Sequence, residues 1–170
     1  RSAEHLRDLN PGAPAAHVLV GDALIALGRN ADGAVAYEKA ANIRFSEPIA
    51  LRLIDAKRRS GDNAGAVRVL DLFLSQNPRN VAALLLASDH FMATGQWDIA
   101  TAMLDGLRKR LGNRDATILN KLAWAWFGQG NNDRALTYAG AAYAMAISNP
   151  ALASSYGWML YKSGKDKNAG

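Results

Sequence analysis

The strongest constraint on the fold is a spacing of about 34 residues that recurs along the whole sequence. Five glycines stand 33 to 35 residues apart, and each follows a stretch with helical patterning: Gly28, Gly61, Gly95, Gly130 and Gly164. Five alanines keep nearly the same register, six residues after the first glycine and five after each of the others: Ala34, Ala66, Ala100, Ala135 and Ala169. A fixed period of this length indicates a chain built from repeated structural units.

The glycine register divides the chain into consecutive repeats. We expect residues 1–170 to form a single array of four nearly whole repeats with a partial one at each end: 14–46, 47–80, 81–114 and 116–149, preceded by 1–13 and followed by 150–170. Asn10-Pro11 closes the leading part as Asn77-Pro78 closes the second repeat. The alanine register gives the first repeat an extra residue in its turn. We therefore interpret the sequence as a fragment of a longer chain.

Each repeat has the pattern of a helix, a tight turn and a second helix. In the third repeat, apolar residues from Ile99 to Leu107 recur at i, i+3 and i+4 after Gly95. Glycine supplies the positive φ that is needed just past a helix end. Signals for helix starts stand at four places: Glu47-Pro48, Asp62-Asn63, Asn131-Asn132 and Asn149-Pro150. No segment shows the period-2 alternation of a hairpin, so the sequence predicts an all-α fold.

These residues resemble the tetratricopeptide repeat (TPR) over nearly the whole chain. The fourth repeat carries the pattern at seven positions: Leu119, Leu122, Ala123, Trp126, Gly130, Ala135 and Ala142. Departures occur where Ile54 and Ser88 take the small-residue position, and where Lys57 takes a large-residue position. The resemblance implies an α-solenoid, a right-handed superhelix of antiparallel helix pairs whose first helices line a concave groove.

A narrower resemblance concerns two strings in the last two repeats. Residues 119–124 and 156–161 are similar to bacterial TPR proteins, many of them lipoproteins, that are linked to exopolysaccharide export and envelope protein sorting. This resemblance implies a location in the bacterial periplasm or cell envelope, and it leaves the cytoplasm open.

The sequence offers no pattern for catalysis. Cysteine is absent, which excludes thiolate zinc sites and thiol catalysis. The three histidines, His5, His17 and His90, have no metal-ligand spacing, and no phosphate-binding glycine loop or serine nucleophile motif is present. We therefore expect a non-catalytic protein with no cofactor and no metal.

The formal net charge of +5 raises the question of nucleic-acid binding. Two basic clusters stand out, Lys57-Arg58-Arg59 and Arg108-Lys109-Arg110. Both fall in the predicted last turn of a helix, where cations complement the helix dipole. Aromatic residues are not interleaved with them, as a platform for single strands requires. We therefore expect no nucleic-acid partner.

Helical geometry assigns a partner-binding groove to one stripe of the first helices. The predicted groove residues are Arg52, Asp55, Arg58, Leu85, Leu86, Asp89, Met92, Asn120, Lys121, Trp124, Phe127, Trp158 and Tyr161. Asp22 shares a repeat position with Asp55 and Asp89, which predicts an acidic ladder beside the arginines. The aromatic residues of the last two repeats predict a cluster suited to a binding hot spot. Two simpler readings stay open, in which Trp124 and Trp158 pack on a core and the aspartates pair with the arginines.

The leading functional hypothesis is a scaffold that binds a peptide or partner protein in this groove. An alternative is a regulatory or targeting region of a larger enzyme, and a third and weaker one is nucleic-acid binding. Incomplete terminal repeats, with an apolar face that includes Leu160, also predict self-association.

Overall fold

The computed structural model describes residues 13–164, and within this range all regular secondary structure is helical. Nine helices follow one another: α1 (Pro14–Ala26), α2 (Asn30–Ile43), α3 (Glu47–Arg59), α4 (Asn63–Gln76), α5 (Val81–Ala93), α6 (Trp97–Leu111), α7 (Ala116–Gly128), α8 (Asn132–Met145) and α9 (Pro150–Lys162). The predicted all-α fold is thereby confirmed for this part of the chain. The predicted partial repeat at 1–13, which includes His5, lies outside the described residues except for residue 13. Ala169 also lies outside them.

The described residues form two compact units that divide between Ala83 and Leu84, within α5. In the first unit α1 packs on α2, α2 on α3 and α3 on α4. In the second unit α6 packs on α7, α7 on α8 and α8 on α9, and α7 also contacts α9. Within each unit the connections between helices are three or four residues long, so neighbouring helices run antiparallel. The predicted repeat boundaries stay a prediction.

The recurring glycines make the turns that reverse the chain. All five have positive φ, between 67° and 85°. At Gly130, for example, the glycine amide donates to the carbonyl of Phe127 and the next amide donates to the carbonyl of Trp126, both at 2.9 Å. These bonds satisfy carbonyls that the end of α7 would otherwise leave without partners. The glycine register therefore marks the ends of the first helices.

The turn of the first repeat does not contain an extra residue, so that prediction is wrong. The second helix begins two residues after the glycine in each case: Asn30, Asn63, Trp97 and Asn132. The position equivalent to Ala66 is Gly33, which is buried and leaves room for Ile25. An ideal Cβ on Gly33 would lie 2.7 Å from Ile25 Cδ1. A glycine thus replaces the expected alanine because the neighbouring side chain fills the space of its methyl group.

Three of the four predicted helix starts are capped as expected. The side chains of Asp62, Asn131 and Asn149 accept hydrogen bonds from backbone amides in the first turns of α4, α8 and α9. At α3 the capping position belongs to Ser46, whose side chain makes no cap hydrogen bond, and Glu47 is already helical.

Small residues let the helices of each unit approach closely. The register alanines Ala66, Ala100 and Ala135 are buried. The two departures from the small-residue position are also buried, and Ser88 satisfies its hydroxyl by donating to the carbonyl of Leu85 at 2.7 Å. Bulk at this position is therefore accommodated inside the core.

Two glycine substitutions test the role of the turns. Gly130 has φ +78°, and Gly106 lies within α6; an added Cβ would meet no atom within 4 Å at either position. We expect Gly130→Ala to lower the free energy of unfolding by about 1 kcal/mol through backbone strain. Gly106→Ala should raise it by about 0.5–1 kcal/mol through helix propensity. Urea unfolding followed by circular dichroism measures the free energy of unfolding of both variants. Equal changes of the same sign would contradict the role of Gly130 as a turn residue that needs positive φ.

Candidate functional site on the first helices

The predicted groove residues lie on the first helix of each repeat. Within the first unit they fall on α3, and within the second unit they fall on α5, α7 and α9. We call this surface the first-helix face and describe it separately for each unit.

In the first unit, Asp22 of α1 is held from two sides. The Tyr37 hydroxyl of α2 donates to Asp22 Oδ1 at 2.6 Å, and Arg52 Nε of α3 donates to the same oxygen at 3.3 Å. Arg52 also donates from Nη1 to the carbonyl of Pro48 at 3.2 Å. The side chains of Asp22 and Arg52 are each 44% exposed. This contact joins the first helices of two successive repeats and fixes the direction of the guanidinium.

Tyr37 is a residue that the sequence analysis did not assign to the face. Its side chain is buried, and it reaches Asp22 because Gly21 leaves space for the ring. An ideal Cβ on Gly21 would lie 2.4 Å from Tyr37 Cε1. Burial, and then the hydrogen bond to the Asp22 carboxylate, raise the pKa of Tyr37 above its ordinary value. The glycine at the small-residue position is the sequence signal that could have revealed this contact.

The second unit repeats the contact with other chemistry. Lys121 of α7 forms an ion pair with Asp89 of α5, and Trp124 Nε1 of α7 donates to Ser155 Oγ of α9 at 3.2 Å. In all three cases the ninth residue of one first helix meets the sixth residue of the next. The partners are 30, 32 and 31 residues apart. We call these contacts the nine-to-six pairs.

The aspartates do not share one set of partners. Asp55 pairs within α3 with Arg59, at 2.7 Å and with both side chains more than half exposed. Arg58 is exposed and makes no ion pair within residues 13–164. The predicted acidic ladder is therefore a set of separately neutralised carboxylates.

The aromatic residues of the second unit divide into a packed pair and an exposed pair. Trp124 and Phe127 are half-buried against a core cluster that includes Met159, with ring centroids 6.0 Å apart. Trp158 and Tyr161 of α9 are 45% and 61% exposed. Their ring centroids are 6.1 Å apart, and Lys162 Nζ lies 4.8 Å from the centroid of the Trp158 ring. Packing thus accounts for much of the first pair, whereas the second pair faces solvent.

The remaining groove positions of the second unit are half-buried: Leu85, Leu86, Met92 and Asn120. The Asn120 Oδ1 atom is buried and has no hydrogen-bond partner among the described residues. Within the same residues no cluster of three or more His, Asp or Glu is arranged to hold a metal ion. None of the described helices is both long enough and apolar enough to span a membrane.

Both predicted basic clusters lie in last helical turns, and most of their charge is paired. Lys57 Nζ lies 2.8 Å from Glu38 Oε1 and 3.2 Å from Asp62 Oδ2. Arg108 and Lys109 both pair with Asp105. These contacts favour the interpretation that the clusters stabilise helix ends over the interpretation that they bind nucleic acid.

Residues 57–125 match the family model of the tetratricopeptide repeat. This match spans about two fifths of the chain and shows that this part is similar to tetratricopeptide repeats. The TPR resemblance is thereby confirmed, and the position of Lys57 in a large-residue slot does not prevent the match. Comparison with curated proteins gives no match.

Solved structures with the same fold come from several bacteria. The structure of MamA, residues 41 to the end, from Desulfovibrio magneticus RS-1 has a TM-score of 0.78 and 16% sequence identity, covering 92% of this chain and 88% of that chain. PilF from Pseudomonas aeruginosa has a TM-score of 0.73 and 16% identity, covering 97% and 72%. TTC0263, a thermophilic TPR protein from Thermus thermophilus, has a TM-score of 0.69 and 18% identity, covering 89% and 84%. The predicted all-α solenoid fold is confirmed by these similarities.

The Tyr37 contact predicts a pH-dependent loss of stability. Tyr37→Phe should lower the free energy of unfolding at neutral pH by about 1 kcal/mol. This is less than a hydrogen bond to a charged group usually contributes, because Asp22 is partly exposed to solvent. The folded-state pKa of Tyr37 is raised above 10.0, so its contribution is complete below that pH and is lost as the pH rises. The deficit of Tyr37→Phe should therefore shrink toward about pH 11.

Urea unfolding at the two pH values measures this effect. Tyr143→Phe is the matched control, because the Tyr143 ring stacks on Tyr156 and the substitution keeps the ring. A deficit of Tyr37→Phe that is the same at both pH values would contradict the role of the hydroxyl.

The nine-to-six pairs predict a stronger coupling between repeats than within one helix. The Lys121 and Asp89 side chains are 21% and 35% exposed, so a double-mutant cycle with alanine should give a coupling free energy of about 1 kcal/mol. The same cycle on the exposed Asp55–Arg59 pair should give about 0.3–0.5 kcal/mol. Urea unfolding of the wild type, the four single variants and the two double variants measures both values. An equal or reversed order would show that the contact between repeats couples no more strongly than a pair within one helix.

Proposed function

We propose that this chain is a non-catalytic scaffold that binds a peptide or partner protein on its first-helix face. The TPR fold supports this function, because stacked helix pairs present extended surfaces that such repeat proteins use for binding. The observation that carries the proposal is the exposed pair of Trp158 and Tyr161 on α9.

The exposed pair has the properties of an interface anchor. Tryptophan and tyrosine dominate the binding energy of protein interfaces because they bury a large area with few rotatable bonds. Trp158 is not needed to fill the core beneath α9, because Leu152 and Met159 are the buried apolar residues of that helix. Exposing a large indole without a partner costs solubility, which favours a bound state that covers it.

The charges of the face favour selectivity over general attraction. Asp22, Asp55 and Asp89 are each neutralised by a neighbouring cation. Because these pairs are partly exposed, a partner can compete for them at little cost. In the first unit Arg52, already oriented by Asp22, supplies a directed donor for an acceptor on a partner.

The alternatives differ in their support. A regulatory or targeting role within a larger enzyme is compatible with the same face, since the partner would then be another part of the same protein. The nucleic-acid hypothesis is the weakest, because Lys57, Arg59, Arg108 and Lys109 are engaged in ion pairs. A role in bacterial envelope or exopolysaccharide assembly rests on the similarity of residues 119–124 and 156–161 to such proteins.

An affinity-capture experiment tests the proposal. The immobilised chain captures partners from a lysate of its source organism, and we expect the double variant Trp158→Ala, Tyr161→Ala to lose the wild-type set. Leu72→Ala, which removes an apolar side chain of α4 that is 52% exposed, is the matched control and should retain it. Capture that survives the aromatic double variant, with helical circular dichroism intact, would reject the assignment of the face.

A further inference from the structure

A cleft on the second helices of the second unit combines a cationic end with an apolar end. Two adjoining cavities of about 420 Å³ and about 350 Å³ share Arg108, Thr137 and Tyr138. They lie between α6 and α8 and are also lined by Leu119 and Trp126 of α7, neither of which belongs to the first-helix face. We call the pair of cavities the second-helix cleft. Its volume is in the range of sites for small molecules.

The cationic end contains three positive side chains and one carboxylate. Lys109 and Arg108 donate to Asp105 and hold the pKa of this carboxyl below its usual range, so Asp105 is ionised at neutral pH. Arg108 is further fixed by donating to Asn113 Oδ1 at 2.7 Å. Arg134 lies with its guanidinium carbon 4.3 Å from the centroid of the Trp126 ring. This end therefore carries an excess of about two positive charges, part of it preoriented.

The apolar end continues along α8 from Tyr138. It is lined by Leu119, Ala141 and Met145, and Met145 is 44% exposed. From Arg134 to Met145 the helix rises about 16 Å, at 1.5 Å per residue. The cleft thus offers separate places for a charged head and for an alkyl chain.

The first unit contains the same cleft without the cationic end. Between α2 and α4 a cavity of about 560 Å³ is lined by Ala41 and Asn42, which stand where the second unit has Arg108 and Lys109. Glu38 occupies the position of Asp105, and Lys57 occupies the position of Trp126. Glu38 and Lys57 form an ion pair. A cavity between second helices is therefore present in both units, whereas the cationic end belongs to the second unit alone among the described residues.

We propose that the second-helix cleft binds a single-chain anionic amphiphile. The negative head lies between Lys109 and Arg134, and the alkyl chain lies along Tyr138 toward Met145. Charge complementarity selects an anion, and the adjoining apolar surface gains from covering the chain. This binding site is separate from the first-helix face, so its existence does not depend on the proposed partner binding.

Isothermal titration calorimetry with decyl phosphate, below its critical micelle concentration, tests the proposal. Three ligands are the matched controls: inorganic phosphate lacks the tail, decanol lacks the charge and decyltrimethylammonium reverses it. We expect each control to bind at least about tenfold more weakly than decyl phosphate. Inorganic phosphate loses the apolar contact, and the other two ligands lose the charge-assisted contact. Binding of decyltrimethylammonium as tight as that of decyl phosphate would overturn the proposal.

Variants locate the site. Arg134→Gln and Met145→Gln should each weaken decyl phosphate binding, by about tenfold for the charge. Met145→Gln copies Gln76, which lines the first unit's cavity. Leu72→Gln in that cavity is the control and should bind as the wild type does. Since Met145 is exposed, its variant keeps the test valid even if Arg134→Gln disturbs the fold; unchanged binding by Met145→Gln would overturn the proposal.

A peptide competitor separates an amphiphile from a protein segment. A capped peptide that contains Glu and Leu is titrated against bound decyl phosphate. Weak or absent displacement supports the amphiphile, whereas displacement at lower concentrations than decyl phosphate itself requires would assign the cleft to a protein partner and overturn the proposal.

Discussion

The structure depends on how closely each first helix approaches the second helix behind it. A single helix pair cannot bury its apolar face alone, so each repeat is stabilised by its neighbours. Gly21 shows the constraint most directly, because the Tyr37 ring occupies the space that a Cβ would need. That close approach brings the Tyr37 hydroxyl to Asp22 and thereby positions Arg52 of the next repeat. The arrangement of charged groups on the first helices is therefore a consequence of how these helices pack on the second helices.

Local signals predict that the chain is helical and where its glycine turns lie. A positive φ just past a helix end is a demand that glycine meets best, so the spacing of Gly28, Gly61, Gly95 and Gly130 marked the ends of helices from the sequence alone. The alanine register failed once, at Gly33, because the sequence does not show that Ile25 fills the volume of the missing methyl group. Periodicity predicts a position, whereas packing decides which residue can occupy it.

The candidate site was less accessible to sequence reasoning. Helical geometry placed Trp158 and Tyr161 on an exposed stripe, and they are exposed. It did not separate them from Trp124 and Phe127, because the depth of a side chain depends on which helix lies behind it. Arg58 stands on the predicted stripe without an ion pair among the described residues. The second-helix cleft was missed altogether, since its lining comes from three helices that no single pattern joins.

The nine-to-six pairs give the repeats an order. A repeat with aspartate at its ninth position is suited to a follower with a cation at the sixth, as Asp89 is to Lys121, whereas Trp124 is suited to Ser155. If the fourth repeat were duplicated in tandem, its tryptophan would meet a lysine, and neither original contact would form at the new joint. The repeats share one backbone plan but are not interchangeable modules. Insertions or duplications would therefore be tolerated best where the two joining residues change together.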